Sequence, residues 1–157
     1  MSRKEEYRMK WVKKTFNELN TEELYHILQE RVNVFVFEQN CPYEEVDGKD
    51  QEAIHLLGYI DDQLVAYSRL FLPSSEREHA SIGRVLVKKE FRGSDSGKEL
   101  MNQAIKTLEE AYDQNTIQIQ AQYYLDRFYR SFGFTPISEV YLLDDIDHVD
   151  MLRTKGE

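Results

Sequence analysis

A single cysteine, Cys41, leaves this 157-residue sequence without the means to form an internal disulfide. That usage suits a reducing compartment, and the cytoplasm is the expected location. Apolar runs are short. None approaches the roughly 20 residues that cross a bilayer as a helix. The charged start, Met1-Ser2-Arg3-Lys4-Glu5-Glu6, has no apolar stretch behind it, so neither a membrane partner nor a secretory signal is expected. Seven glycines and three prolines are too few for a collagen-like or low-complexity chain. Basic residues are also scarce: 20 Lys and Arg face 29 Asp and Glu, a net charge of −9. That balance argues against a nucleic-acid partner, which needs clustered cations.

What is present is a globular composition, 41% hydrophobic and 31% charged. It can bury a core within one domain, expected over residues 1–157 with its core at about 10–153. The negative charge is concentrated. Glu38 to Glu52 nets −5, Glu139 to Asp150 nets −5, and everything else nets +1. The two segments read either as solvated loops or, if they meet, as a field that attracts cations.

Along the chain, Lys10–Phe16 reads as a strand anchored by Trp11, the only tryptophan. Asn20 and Glu23 form a capping-box pair that opens a helix. Leu24, Ile27, Leu28, Arg31 and Phe35 lie along one face of it. Its Val-rich end, Val32 to Phe37, is apolar all round, which predicts either burial on several sides or loss of helix. Ala53–Ile60 and Leu64–Leu72 flank an Asp61-Asp62-Gln63 turn as a hairpin. Ala80–Val87 is a buried strand. It feeds a Gly/Ser-rich turn and a helix opening at about Lys98, with Leu100, Met101, Ala104, Ile105, Leu108 and Ala111 on one stripe. Ile117–Ala121 alternates as a strand. A short helix with Leu125, Phe128 and Phe132 inward is closed by Gly133 as a left-handed cap. Ile137–Leu143 and His148–Arg153 read as late strands. The order of elements predicts an α/β fold with a mixed sheet.

The turn after Val87 carries the chemistry. The first amides of a helix lack partners within it and its dipole favours an anion there, so a strand–turn–helix junction can hold phosphates. Gly93 and Gly97 allow close backbone approach, and Arg92 and Lys98 add positive charge. The acyl-CoA signature of the GNAT superfamily of N-acetyltransferases is Gln or Arg, two residues, Gly, one residue, then Gly or Ala. Arg92-Gly93-Ser94-Asp95-Ser96-Gly97 resembles it, with Asp95 at the usual glycine. Asp is among the few side chains that tolerate left-handed geometry, so the turn is expected to survive, at some cost in affinity unless the carboxylate points away or pairs with Lys98. A second resemblance lies at Gln122, Tyr129, Gly133 and Phe134, spaced as in the superfamily's strand end, Tyr and Gly-Phe. Stretches from about Trp11 to Met151 are similar to its ElaA-like branch, among them Phe35–Tyr43, Asp47–Asp50, Ala66–Arg69, Ile82–Val85 and Asp147–Met151.

The resemblance implies a single-domain GNAT-like α/β fold, its mixed central sheet flanked by helices on both faces. It implies acetyl-CoA as donor and a primary amine as acceptor, with direct transfer. Val85, Leu86 and Val87 would offer backbone to the thioester and pantetheine. Arg92, Gly93, Ser94, Asp95, Ser96, Gly97 and Lys98 would hold the diphosphate, with Gln122, Phe128 and Tyr129 also near the cofactor. Tyr129 would protonate the leaving thiolate; by composition alone, beside Phe128 and Phe132, it reads as core, and the spacing match is what favours the catalytic role. Glu38, Asp47, His55 and His148 are candidate bases, with Glu38 and His148 ranked first. Glu38, Arg69, His55, Asp147 and His148 are expected at the acceptor, Arg69 pairing with Glu38 or with a substrate carboxylate. The acid loops suit a polyamine, aminoglycoside or basic peptide, taken by a monomer or homodimer. No metal is expected. Cys41 precedes Pro42 and has no adjacent His, so it is not expected as a nucleophile. The rival readings are an acyl-CoA-binding module without turnover and an oligomeric interaction protein with a Tyr-rich surface.

Overall fold

The structure, a computed structural model, describes residues 8–40 and 44–156. Cys41 and Pro42, read above as the end of the first helix, lie outside them. The residues group into two compact units. One takes in the chain to Arg69 and Arg84–Gln103; the other takes in Leu70–Gly83 and the chain from Ala104 on.

The first unit opens on β1 (Lys10–Thr15), which pairs antiparallel with β2 (Ile54–Ile60) from Lys10↔Tyr59 to Thr15↔Ile54. Trp11 faces Gly58 in that ladder. A Cβ on Gly58 would lie 2.6 Å from Trp11 Cζ3, so the glycine makes room for the indole, whose Nε1 donates to Glu99 (3.1 Å). The Asp61-Asp62 turn has φ of 48° and 65°, the left-handed pair that matches the twist of a two-residue hairpin, and leads into β3 (Gln63–Phe71). The α1 helix (Thr21–Arg31) starts at the expected cap: Asn20 Oδ1 accepts from the Glu23 amide (2.7 Å) and Glu23 Oε1 from the Asn20 amide (2.9 Å). Ile27 packs with Leu57, Leu64, Tyr67 and Leu86 in the core of this unit.

The Val-rich end of that helix neither packs on all sides nor unwinds. Val32–Glu38 continues as a π-helix with no fully buried residue, and Phe37 is 82% exposed. Three valines crowd the preceding turn, and the wider winding relieves them. Its last residue, Glu38, is thereby turned toward the loop after β4 (Ala80–Val87).

The α2 helix opens at Ser96, two residues earlier than expected, and runs to Lys106. The chain then winds as a π-helix over Thr107–Ala111. Leu100, Met101, Ala104, Ile105 and Leu108 are buried as the stripe predicts; Ala111 is exposed.

The second unit holds the start of β4, β5 (Thr116–Gln122) and β8 (Ile146–Thr154), with β6 (Thr135–Pro136) and β7 (Tyr141–Leu143) both paired to β8. β4 and β5 are parallel but paired only at Ala80↔Ile117 and Ser81↔Gln118. β5 and β8 are antiparallel through seven pairs, from Thr116↔Thr154 to Gln122↔His148. Parallel and antiparallel pairs together make the sheet mixed, as expected. The strand expected over Ile137–Leu143 shrinks to β7, because Ser138 and its neighbours instead meet Asp150 singly through the Ser138 hydroxyl and the Ile137 amide. The β7–β8 turn is Asp144-Asp145, again with two positive φ values, 51° and 62°. The α3 helix (Asp126–Arg130) ends at Gly133, φ 87°, where the Gly133 amide reaches Arg130 O (3.0 Å) and Phe134 is fully buried beyond it. No helix among the described residues is long and apolar enough to cross a membrane.

Candidate functional site

In the first unit the strand–turn–helix junction is built as the sequence implies. Arg92 Nε donates to Val87 O (2.8 Å), folding the guanidinium back over the turn. Gly93 has φ 86°, and nothing lies within 4 Å of the place where a Cβ would stand, leaving an open cradle. Ser94 Oγ donates to Phe91 O (3.0 Å) and lies 3.1 Å from Ser96 Oγ. Asp95 adopts φ 62°, the left-handed geometry expected of it, and its side chain is exposed while its carbonyl accepts the Glu99 amide (2.9 Å). Gly97 and the exposed Lys98 sit in the first turn of α2, where amides have no partner within a helix.

Arg92 presents its two terminal nitrogens as a fork, and an anion already sits in it. Nη1 and Nη2 each donate to one oxygen of Glu38, both at 2.7 Å. The Arg92 hydrogen bonds hold Glu38 below its ordinary carboxylate value, against a smaller opposing effect of burial. Glu38, ranked first as a base, is therefore engaged as an acceptor to Arg92. It is not paired with Arg69.

Arg69 belongs to a second constellation. Arg31, 0% exposed, donates from Nε to Glu45 Oε2 (2.7 Å) and from Nη1 to Asp50 Oδ1 (2.6 Å). Arg69 reaches Asp47 (2.9 and 2.8 Å) and Asp50 (3.0 Å), and Arg84 Nε reaches Glu45 Oε2 (2.7 Å). Three guanidinium groups thus neutralise three acids of the first acidic segment. Much of the segment's negative surplus is thereby offset by arginines from distant positions. Arg84 carries a positive φ, 49°, inside β4, immediately before Val85-Leu86-Val87, of which the last two are buried.

Burial alone would raise the Asp47 carboxyl, but hydrogen bonds from Arg69 and the Lys49 amide, with the Arg69 and Arg84 charges, more than offset it and hold it well below its ordinary value of 3.8. A carboxyl depressed in the folded state stabilises the fold above its unfolded value and loses that contribution as the pH falls through the folded one. Acid unfolding of the wild type should therefore steepen below pH about 3.8, and Asp47→Asn should flatten that limb in a urea series run across pH. Parallel curves for the two proteins would show that Asp47 does not carry it.

His55, expected at the acceptor, is fully buried. Its Nε2 donates to Asp50 O (2.9 Å) and its Nδ1 accepts from the Tyr67 hydroxyl (2.6 Å), so both nitrogens are used. Burial holds it below its ordinary value, and it serves as a neutral strut of the arginine network.

In the second unit Tyr129 lies on α3, buried, its ring edge-on to Phe128 (5.2 Å) and Phe134 (6.3 Å). Burial, with a smaller effect of Tyr124, pushes its hydroxyl up to about 12. Phe128 is half-buried beside it. Gln122 ends β5 half-buried and opposite His148 on β8. His148 Nδ1 donates to Ile146 O (2.8 Å), which leaves Nε2 as the nitrogen not used in that bond, and the ring stacks on Tyr141 (6.1 Å). Asp147 is exposed. Sequence reasoning missed the Tyr141 hydroxyl donating to Asp150 (2.5 Å) beside them. It also missed the Arg31 network, whose one available signal was an arginine on an otherwise apolar helical face.

These features define an acyl-CoA-dependent acyltransferase. The acetyltransferase (GNAT) domain family model matches residues 13–155, and the chain belongs to that family. It is 40% identical to protein ElaA of Escherichia coli K12 over 147 residues, 92% of this chain and 96% of that protein. The crystal structure of E. coli ElaA superposes with a TM-score of 0.87 at 40% identity, covering 93% of this chain and 99% of that one. A Pseudomonas aeruginosa acyl-CoA N-acyltransferase gives the same TM-score, 0.87, at 40% identity, covering 92% of this chain and 99% of that one.

Proposed function

We propose that the protein transfers an acetyl group from acetyl-CoA directly to the primary amine of a small cationic acceptor, in the cytoplasm. The observation that carries the donor half is the Arg92 fork, which already takes a carboxylate through both terminal nitrogens. Two such parallel bonds match phosphate as they match carboxylate. Acyl-CoA supplies the activated acyl group as a thioester. Arg92, the open cradle at Gly93, the Ser94 and Ser96 hydroxyls and the first amides of α2 form a donor set that suits its diphosphate. The backbone of Val85–Val87, turned by the positive φ at Arg84, is assigned to the thioester and pantetheine. Tyr129 is assigned as proton donor to the leaving sulfur, and His148, through Nε2, as the group that takes the amine's proton.

The cationic acceptor is supported by the second unit. Glu139, Asp144, Asp145 and Asp147 are all exposed there, so the second acidic segment presents charge to solvent. Calorimetry with acetyl-CoA tests the reading. Arg92→Ala should weaken binding about tenfold, as for loss of a charge-assisted pair at a partly exposed site. Equal affinity in both proteins would remove Arg92 from the site. A wild type that binds no acyl-CoA would overturn the reading.

A further inference from the structure

The Glu38–Arg92 pair makes demands of its own on any donor that arrives. Both oxygens of Glu38 occupy the nitrogens a diphosphate would use, and Arg92 Nε is already committed to Val87 O. The pair is reachable by solvent, with the Arg92 side chain 42% and the Glu38 side chain 32% exposed, so it can be exchanged without unpacking the core. Lys89 adds attraction to Glu38 from the same turn. The π-helical winding of Val32–Glu38 is what delivers the carboxylate there.

We propose that Glu38 is a built-in competitor of the donor's diphosphate: it fills the Arg92 fork in the free protein and must be displaced when acyl-CoA binds. The inference rests on the donor reading above and deepens it. The free protein exists as closed and open forms of one ion pair, and only the open form offers Arg92 to phosphate. Apparent affinity is the intrinsic affinity scaled by the open fraction. An exposed pair of this kind favours its closed form by about two- to fivefold. Displacement frees one carboxylate for every donor bound, and with it a negative site that a cationic acceptor can use.

Calorimetry on the wild type, Glu38→Gln and Glu38→Ala, each checked for an unchanged thermal midpoint, tests this. Both variants should bind coenzyme A about three- to sixfold more tightly than the wild type. The gain should recur with ADP, which carries the diphosphate. It should be absent with an acyl-pantetheine that carries no phosphate. It should vanish in an Arg92→Ala background. Wild-type binding of coenzyme A with no gain in either variant overturns the competition and leaves the donor reading standing. A gain that persists without Arg92 also overturns it, since the effect would then be general repulsion of anions by Glu38. Failure of every protein to bind coenzyme A overturns the donor reading, and the competition with it.

Discussion

Replacing Arg31 with alanine is expected to destabilise the protein by about 3–5 kcal/mol, the largest effect of any single substitution considered. The guanidinium is fully buried and is shared between Glu45 and Asp50, both of them buried as well. Removing it leaves three acids to two guanidinium groups: Glu45 keeps Arg84, and Asp50 keeps Arg69 only in common with Asp47, so one negative charge is uncompensated away from water. The planar Arg31 guanidinium also lies over Tyr67, whose ring centre is 5.9 Å from the guanidinium carbon. The cost is one of uncompensated charge more than of lost attraction, because a buried pair gains little net energy by forming. A companion measurement separates the two. Glu45→Gln in the Arg31→Ala background should recover part of the loss, since a neutral amide is cheaper to bury than a carboxylate. Urea midpoints at neutral pH give both values. A loss below about 1 kcal/mol for the single variant would mean water reaches these acids and the network is slack.

Tyr129→Phe is expected to lower turnover by about 10²–10⁴ while leaving the fold intact, the range for loss of a positioned proton donor. Phenylalanine keeps the edge-on contacts to Phe128 and Phe134, so packing changes little. The hydroxyl, pushed up to about 12 by burial, stays protonated throughout the working range. An ordinary thiol sits near 8.5, roughly three units lower. In the proposed reaction the Tyr129 hydroxyl would therefore donate a hydrogen bond to the developing negative charge on sulfur. The variant's loss should fall on kcat with little change in KM for the donor. Steady-state rates against a set of cationic amines give the comparison, and an unchanged kcat removes Tyr129 from the chemistry.

Local signals in the chain were readable wherever local physics decides the outcome. The Asn20–Glu23 cap, the alternation of Ile117, Ile119 and Ala121, the left-handed Gly133 and the left-handed Asp95 each depend on a few consecutive residues, and each is found in place. Pairing between distant residues was not readable. Arg69 was expected at Glu38 or at a substrate carboxylate and lies on Asp47 and Asp50; Glu38 lies on Arg92, 54 residues away; His55 is buried and bonded to Tyr67. Counting charges along the sequence overstated the first acidic segment for the same reason, since Arg31, Arg69 and Arg84 sit outside it. Part of the second segment has a backbone cause: Asp144 and Asp145 supply the positive φ that the β7–β8 turn demands. The π-helical stretches had no sequence signal beyond three closely spaced valines at Val32–Val36.

A π-turn holds one residue more than the α-helical winding it replaces. Deleting a single valine from Val32–Val36 would let the segment rewind as α-helix and leave Glu38 facing the same way, whereas rewinding with every residue kept would turn Glu38 by about 100°, the advance of one α-helical residue. Glu38 would then swing off the Arg92 side without any change of its own chemistry. The winding of this segment, and not the presence of a carboxylate at position 38 alone, is what decides whether Glu38 meets Arg92.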